Sequence, residues 1–381
     1  MVITPYLALV VMSPGQLHTT AAERMYTSPE HKVPVPLPTL SVPEEVQLSV
    51  VVPMYNEEKR LPTMLDEALS WLEQVRSSKE SLSGLSEKEG AASALTGPLL
   101  TYELLLVDDG SKDSTYDVAM TYAKERSLPT GASLRITQLH TNRGKGAAVR
   151  HGVLHSRGAF ILFADADGAT RFSDLRVLSR EMTRILTEKG HGVVVGSRAH
   201  LVTSEAVVKR SMLRNLLMRG FHLLLSILMR PPSIEKMYHH AVDAVVPQFL
   251  RATSHGTVTT LAQQPEIKDT QCGFKMFSRA TAAHIFPLAH IDRWIFDVEL
   301  LLLAEMASRA SAAQHALRSP QDSSKDALLR LPLPIAEVAV HWTEIDGSKI
   351  SLLTDSLRMG RDLVIIRLNY ALGRWRAPSS L

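Results

Sequence analysis

Short apolar runs alternate along the chain with segments of helical spacing. Gln47 to Pro53, QLSVVVP, is a run with no polar face, as expected of a strand covered on both sides. Leu61, Leu65, Ala68, Leu69 and Leu72 then recur at helical intervals. Tyr102 to Val107 predicts a second strand, and Tyr116, Ala119, Met120 and Ala123 the helix after it. Leu134 to Leu139 predicts a third strand, with a helix from about Ala147. Phe160 to Ala164 and Val193 to Val195 predict a fourth and a fifth. This order of strand and helix implies an α/β fold with a mostly parallel central sheet and helices on both faces. Ile335 to Trp342 alternates as one further strand, with Ala336, Val338, Val340 and Trp342 on one face.

Between these elements the pattern weakens. Residues 13–45, rich in Pro, Thr and Ser, read as a flexible lead-in, so that 1–45 precede the domain proper. Residues 77–98, 231–266 and 307–332 lack strong periodicity and read as insertions into a single domain over 46–375, with 376–381 as a tail. Met212 to Met229 is amphipathic: leucines at helical spacing are interrupted by Arg214, Arg219 and His222. Asp362 to Trp375 has a similar apolar face among arginines. Both suit helices lying in a membrane interface. The N-terminal apolar run, broken by Pro5, falls short of the roughly 20 residues a spanning helix needs, and no Lys or Arg precedes it as in a secretory signal.

Composition narrows the function classes. At 381 residues with 45% hydrophobic and 21% charged, the chain supports a packed core and is not disordered throughout. A net charge of +3 is too balanced for a protein that coats nucleic acid. The single cysteine, Cys272, allows neither an intrachain disulfide nor a cysteine zinc cluster.

Ligands of parallel sheets gather beyond the carboxyl ends of the strands. Here those ends carry Pro53-Met54-Tyr55-Asn56-Glu57, Asp108-Asp109-Gly110-Ser111, Asp165-Ala166-Asp167 and Gly196-Ser197-Arg198. Asp165 and Asp167 are two residues apart, so in an extended chain both point to one side. Two such carboxylates repel unless a cation lies between them, and a hard divalent ion, Mg²⁺ or Mn²⁺, is the natural occupant. Asp108 and Asp109 suit a base N–H or ribose hydroxyls, while Ser111, Asp113 and Ser114 suit capping of the next helix. Asn142-Arg143-Gly144-Lys145-Gly146 sets two cations and two glycines before a helix N-terminus, where phosphate is favoured.

VVVPMYNEE, LLVDDGSKDST, NRGKGAAVRHG, FADADGAT, VVGSR, DTQCGFKMFSR, RWIFDVELL and VHWTEIDGSKI occur in this order. Together they resemble the dolichyl-phosphate β-glucosyltransferases, family 2 glycosyltransferases of the GT-A fold, from about Leu48 to Trp375. The resemblance implies inverting transfer of glucose from UDP-glucose to dolichyl phosphate for protein N-glycosylation, on the cytosolic face of the endoplasmic reticulum membrane. Carried over by motif, Pro53, Tyr55, Glu57, Asp108, Asp109, Arg143, Lys145 and Asp165 would hold the nucleotide sugar. Asp165 and Asp167 would bracket the metal. Arg198, Arg210, Arg214 and Lys275 would meet the lipid phosphate. Asp297 is the residue nominated as base in such folds, here expected chiefly to position. Two departures stand out: family members usually begin with a membrane-spanning helix, where this chain has the short run near Leu7 to Met12, and residues 231–266 fall near the expected acceptor site. A GDP-mannose-dependent relative and a non-catalytic transferase-fold scaffold are the alternatives. Ala169, where mannosyltransferases tend to carry Gln, favours glucose.

Overall fold

The computed structural model describes residues 3–15, 19–78, 80–84, 100–203, 267–318, 333–345 and 352–381. The expected strands are all present: β3 (Val46–Met54), β4 (Tyr102–Asp108), β5 (Ala132–Gln138), β6 (Gly158–Ala164), β7 (Val193–Ser197) and β9 (Ile335–Ala339). Helices α2 (Leu61–Ser77), α3 (Thr115–Glu125), α4 (Lys145–Leu154) and α5 (Leu175–Ile185) alternate with them. Three further strands complete the sheet: β1 (Met25–Ser28), β2 (His31–Pro36) and β8 (Phe274–Ser278). The nine strands lie in the order β2-β1-β5-β4-β3-β6-β8-β7-β9. The neighbours β5, β4, β3 and β6 run parallel, and β8 is antiparallel to both β6 and β7.

Side chains of successive strand residues go to opposite faces, so each parallel strand feeds two cores. Leu48, Val50, Val52 and Met54 of β3 join the cluster beneath α2, α3 and α5. Val51 joins Leu105, Val107 and Phe163 in the second cluster, with α4 and three later helices. Those three are α6 (Arg279–Ile285), α7 (Phe296–Arg318) and α8 (Leu352–Ala371); α1 (Ile3–Met12) adds the buried Leu9.

Three sequence expectations are corrected. The lead-in is an ordered part of the sheet: β1 and β2 form a hairpin, and Thr27 of β1 pairs with Ile136 of β5. The hairpin covers an edge strand whose backbone donors and acceptors would otherwise be unpaired. Residues 307–318 continue α7; Ala307 is buried, and buried Ser308 accepts the Leu333 N–H. Part of the 77–98 segment also packs: Leu82 is buried, and Glu80 pairs with Arg176 at 2.8 Å. Residues 231–266 and the Met212 to Met229 stretch lie outside the described residues.

Candidate active site

Register brings the predicted acids to one rim. Met54 lies opposite Asp108, and Ala164 opposite Phe274, so the ends of β3, β4 and β6 meet the start of β8. Asp165 leaves β6 here, with its N–H donating to the Gly273 carbonyl at 3.2 Å. Its carboxylate receives Lys145 Nζ at 2.5 Å. Asp167 is half-buried and accepts the Ala169 N–H at 3.0 Å. Burial, and after it the like charge of Asp165, pushes the Asp167 carboxyl above its ordinary range. Burial lowers the Lys145 ammonium, but Asp165, Asp297 and Asp167 outweigh it and hold the ammonium above the usual lysine value.

Arg60 is a member of this cluster that the sequence reading missed. Glu57 grips its guanidinium with both oxygens at 2.7 Å. Asp167 and Asp165 then add to the charge that keeps Arg60 ionised against burial. The spacing of three between Glu57 and Arg60 was the available signal. Glu57 is therefore turned onto Arg60, whereas Pro53 and Tyr55 are half-buried along the rim.

Several expected nucleotide contacts are wired inward instead. Asp108 is fully buried and accepts from the Ser111 N–H at 3.1 Å and Gln138 Nε2 at 2.8 Å. Asp109, also buried, accepts the N–H groups of Arg143 and Gly144, each at 2.8 Å. A carboxylate at a covered strand end must find donors, and the neighbouring loop supplies them. The Arg143 side chain is engaged elsewhere: Glu23, fully buried in the lead-in, takes its guanidinium at 2.7 and 2.9 Å. So Asp109 and Glu23 together shape the Asn142–Gly146 loop, and Lys145 is the cation that loop delivers to the rim. Gly144 adopts φ +110°, and a Cβ there would meet the Asp292 carbonyl oxygen at 2.6 Å. Glycine alone fits that turn.

The expected acceptor cations are dispersed. Arg198 pairs with Asp269 at 2.7 and 3.0 Å and lies over the Trp342 ring. Lys275, only 1% exposed, donates to Asp297 at 2.7 Å and to the Cys272 carbonyl at 2.5 Å. Burial pushes the Asp297 carboxyl up despite Lys275 and Lys145 beside it. Asp297 therefore sits under the rim, in a buried pair, and is not open to a substrate. Arg210 and Arg214 lie outside the described residues.

Among the described residues no group of three or more His, Cys, Asp or Glu side chains gathers to hold a metal. Two carboxylates are what a Mg²⁺-type ion takes from a protein when substrate phosphates and water complete its shell. The repelling Asp165–Asp167 pair fits that donor set.

A family model described as Glycosyl transferase family 2 matches residues 49–286. The chain is also 39% identical to a dolichyl-phosphate beta-glucosyltransferase of Dictyostelium discoideum, covering 92% of this chain and 83% of the relative. The Drosophila melanogaster protein of that name is 39% identical over 94% of this chain and 85% of its own. The Homo sapiens one is 39% identical over 89% and 81%. A crystal structure of M. tuberculosis glucosyl-3-phosphoglycerate synthase overlaps 86% of this chain and 81% of that one at a TM-score of 0.41 and 16% identity, too loose an overlap to argue from. The chain belongs to glycosyl transferase family 2, among the dolichyl-phosphate β-glucosyltransferases. Its mixed sheet, with the acid rim at the strand ends, is the GT-A arrangement that the motifs implied.

Two features of this family 2 site lead to measurements. A Cβ on Gly273 would lie 2.0 Å from Asp165 Oδ2, so the bare backbone there is what seats the carboxylate. Gly273→Ala is expected to displace Asp165 and cut turnover by roughly a hundredfold while leaving the thermal unfolding midpoint within a few degrees. Steady-state rates and a melting curve check it; normal turnover would show that Asp165 is seated by something else.

Burial raises the Asp109 carboxyl to about 7, against its two backbone donors. Folded protein thus retains a proton between about pH 4 and 7 that the unfolded chain has released. Stability from this group is present below pH 4 and is lost as pH rises to 7. Asp109→Asn removes the titration, so the fall in unfolding midpoint between pH 5 and pH 8 is expected to be smaller in the variant. An equal or larger fall would contradict the assignment.

Proposed function

We propose that the protein transfers glucose from UDP-glucose to dolichyl phosphate with inversion, making dolichyl β-D-glucosyl phosphate. The observation that carries this reading is 39% identity, over most of both chains, to proteins bearing that name. The site chemistry supports it. An acid pair flanked by Lys145 and Arg60 suits a sugar diphosphate, whose leaving half gains negative charge as the glycosidic bond breaks. Asp165 and Asp167 would hold Mg²⁺ or Mn²⁺, which supplies Lewis-acid stabilisation of the diphosphate when bound. Lys145 delivers a fixed positive charge to the same place. Pro53 and Tyr55 border the nucleotide on the β3 side, and Asp109 contributes by shaping the loop that carries Lys145.

The acceptor phosphate oxygen bonds to the anomeric carbon from the face opposite the departing UDP. The bond to the β-phosphate oxygen breaks, and its electron pair leaves with UDP. A phosphate monoester is already anionic near neutral pH, so this attack needs little help from a base, unlike attack by a sugar hydroxyl. A buried Asp297, paired with Lys275, is consistent with positioning. Arg198, Arg210 and Arg214 remain the proposed acceptor-side cations, whereas Lys275 is taken up by its buried pair with Asp297. With a lipid acceptor, the proposed place of work is a membrane, the cytosolic face of the endoplasmic reticulum.

The test is sugar transfer by the purified full chain in detergent, with dolichyl phosphate and Mg²⁺ or Mn²⁺. UDP-glucose, GDP-mannose and no donor are compared. Glucose transfer alone is the expected result. Mannose transfer would move the protein to another branch of the family, and no transfer from folded, UDP-binding protein would overturn the activity.

A further inference from the structure

The two ends of the described chain meet at the surface. Asn369 Nδ2 of α8 donates to Ser13 Oγ, just beyond α1, at 2.9 Å. Arg374 donates to the same hydroxyl at 3.3 Å and lies over the Tyr6 ring at 5.6 Å. Among the described side chains of α1, Tyr6 to Met12, Leu9 is the buried one. Leu7, Val10 and Val11 are exposed, Val11 at 84%, and α1 has no charged residue. On α8, Leu363 and Ile366 face the core, while Val364, Leu368 and, one residue past the helix end, Leu372 form a stripe in solvent at intervals of four. Leu372 is 57% exposed. The rim of this stripe has one sign. The only acids of α8, Asp355 and Asp362, are buried and held by Arg358 and Arg361. Arg358, Arg361 and Arg376 are exposed, and Arg367 and Arg374 partly so.

We propose that α1 and α8 together form a platform that docks on an anionic phospholipid surface. No helix among the described residues is long and apolar enough to cross a membrane. A helix with an apolar stripe edged by arginine lies in the interface plane instead, with its apolar side chains in the acyl boundary and its cations at the headgroups. A second copy of this chain is the poorer occupant, because pairing two such faces brings arginine rims of like charge together. The platform is also tied to the site. Tyr370 of α8 donates to Glu299 at 3.0 Å, and Trp375 stacks on His290 at 4.1 Å. Glu299 in turn accepts the His290 and Ile291 N–H groups, next to Asp292, whose carbonyl takes the Ala147 N–H. Docking through α8 therefore sets the height of the Lys145 loop above the lipid. This deepens the proposed function, since a lipid-borne phosphate must be met at a membrane surface.

Co-sedimentation of the full chain with vesicles tests it, using phosphatidylcholine alone and phosphatidylcholine with phosphatidylserine. Wild type is expected to prefer the mixed vesicles and to come off at high salt. Leu368→Glu/Leu372→Glu is expected to weaken binding by roughly tenfold or more, and Arg367→Gln/Arg376→Gln to remove the preference for phosphatidylserine. Glucose transfer in detergent should stay near wild type in both. Wild type that transfers glucose but ignores vesicles overturns the platform and leaves the enzyme reading intact. So do variants that sediment like wild type, or a leucine variant whose sole change is loss of a dimer. Vesicle binding lost in the variants, with no glucose transfer by any version, upholds the platform and overturns the activity instead. Should the leucine variant lose its melting transition, the arginine variant decides.

Discussion

Asp167→Ala is expected to lower glucose transfer about a thousandfold while UDP still binds. Burial, and then the charge of Asp165, raises the cost of ionising Asp167. That cost is repaid only when positive charge arrives between them. Lys145 neutralises Asp165 at 2.5 Å and Arg60 lies near both, but neither supplies the open coordination of a divalent ion. In the proposed metal site, removing one carboxylate takes away half of the protein's share of that shell, and losing one group that stabilises developing negative charge costs about 3–4 kcal/mol. Rates measured across a Mn²⁺ titration check this, with UDP binding followed by calorimetry in parallel. A variant that keeps a tenth of the wild-type rate at every metal concentration would remove Asp167 from the metal site.

The second large effect concerns stability. Lys275 is the second residue of β8, 1% exposed, and its charge is met by Asp297 at 2.7 Å. Asp297→Ala leaves an ammonium in the core with the Cys272 carbonyl and the Phe163 ring as its neighbours. Breaking such a pair from one side costs about 3–5 kcal/mol, whereas replacing both partners by apolar groups of similar size is often nearly neutral. Asp297→Ala is therefore expected to unfold at markedly lower urea concentration than wild type, and Lys275→Met/Asp297→Leu to recover most of the loss. If the single variant unfolds at the wild-type midpoint, the pair is not buried as described. The double variant separates stability from chemistry: a well-folded protein with reduced kcat and little change in KM for UDP-glucose would mark the pair as a positioning element.

Part of this arrangement was legible in the sequence and part was not. Strands β3 to β7 announced themselves because parallel strands covered on both faces must be apolar throughout, and the acids at their ends followed from that placement. Strand β8 was hidden by Lys275, a charge within FKMFS, whose partner lies 22 residues further on. The hairpin of β1 and β2 was hidden because MYTS and HKVPVP carry little alternation and two prolines. In α7, residues 307–318 are rich in Ala and Ser, which weakens the apolar period although Ala favours helix. At the site, the acids were found but not their direction. Arg143 reads as a phosphate ligand until Glu23, 120 residues away, is seen to hold it.

The edge hairpin also imposes an order of events on the growing chain. Thr27 pairs with Ile136, and Glu23 closes on Arg143, so this segment lacks those partners until more than a hundred residues have followed it. At a synthesis rate of roughly 5–20 residues per second, that is a wait of about 5–25 s. The β3–β4–β5 layer forms from nearer contacts and has the lower closure cost. The hairpin segment is thus among the last to dock although it is made before its partners, and its arrival, through Glu23, completes the loop that carries Lys145.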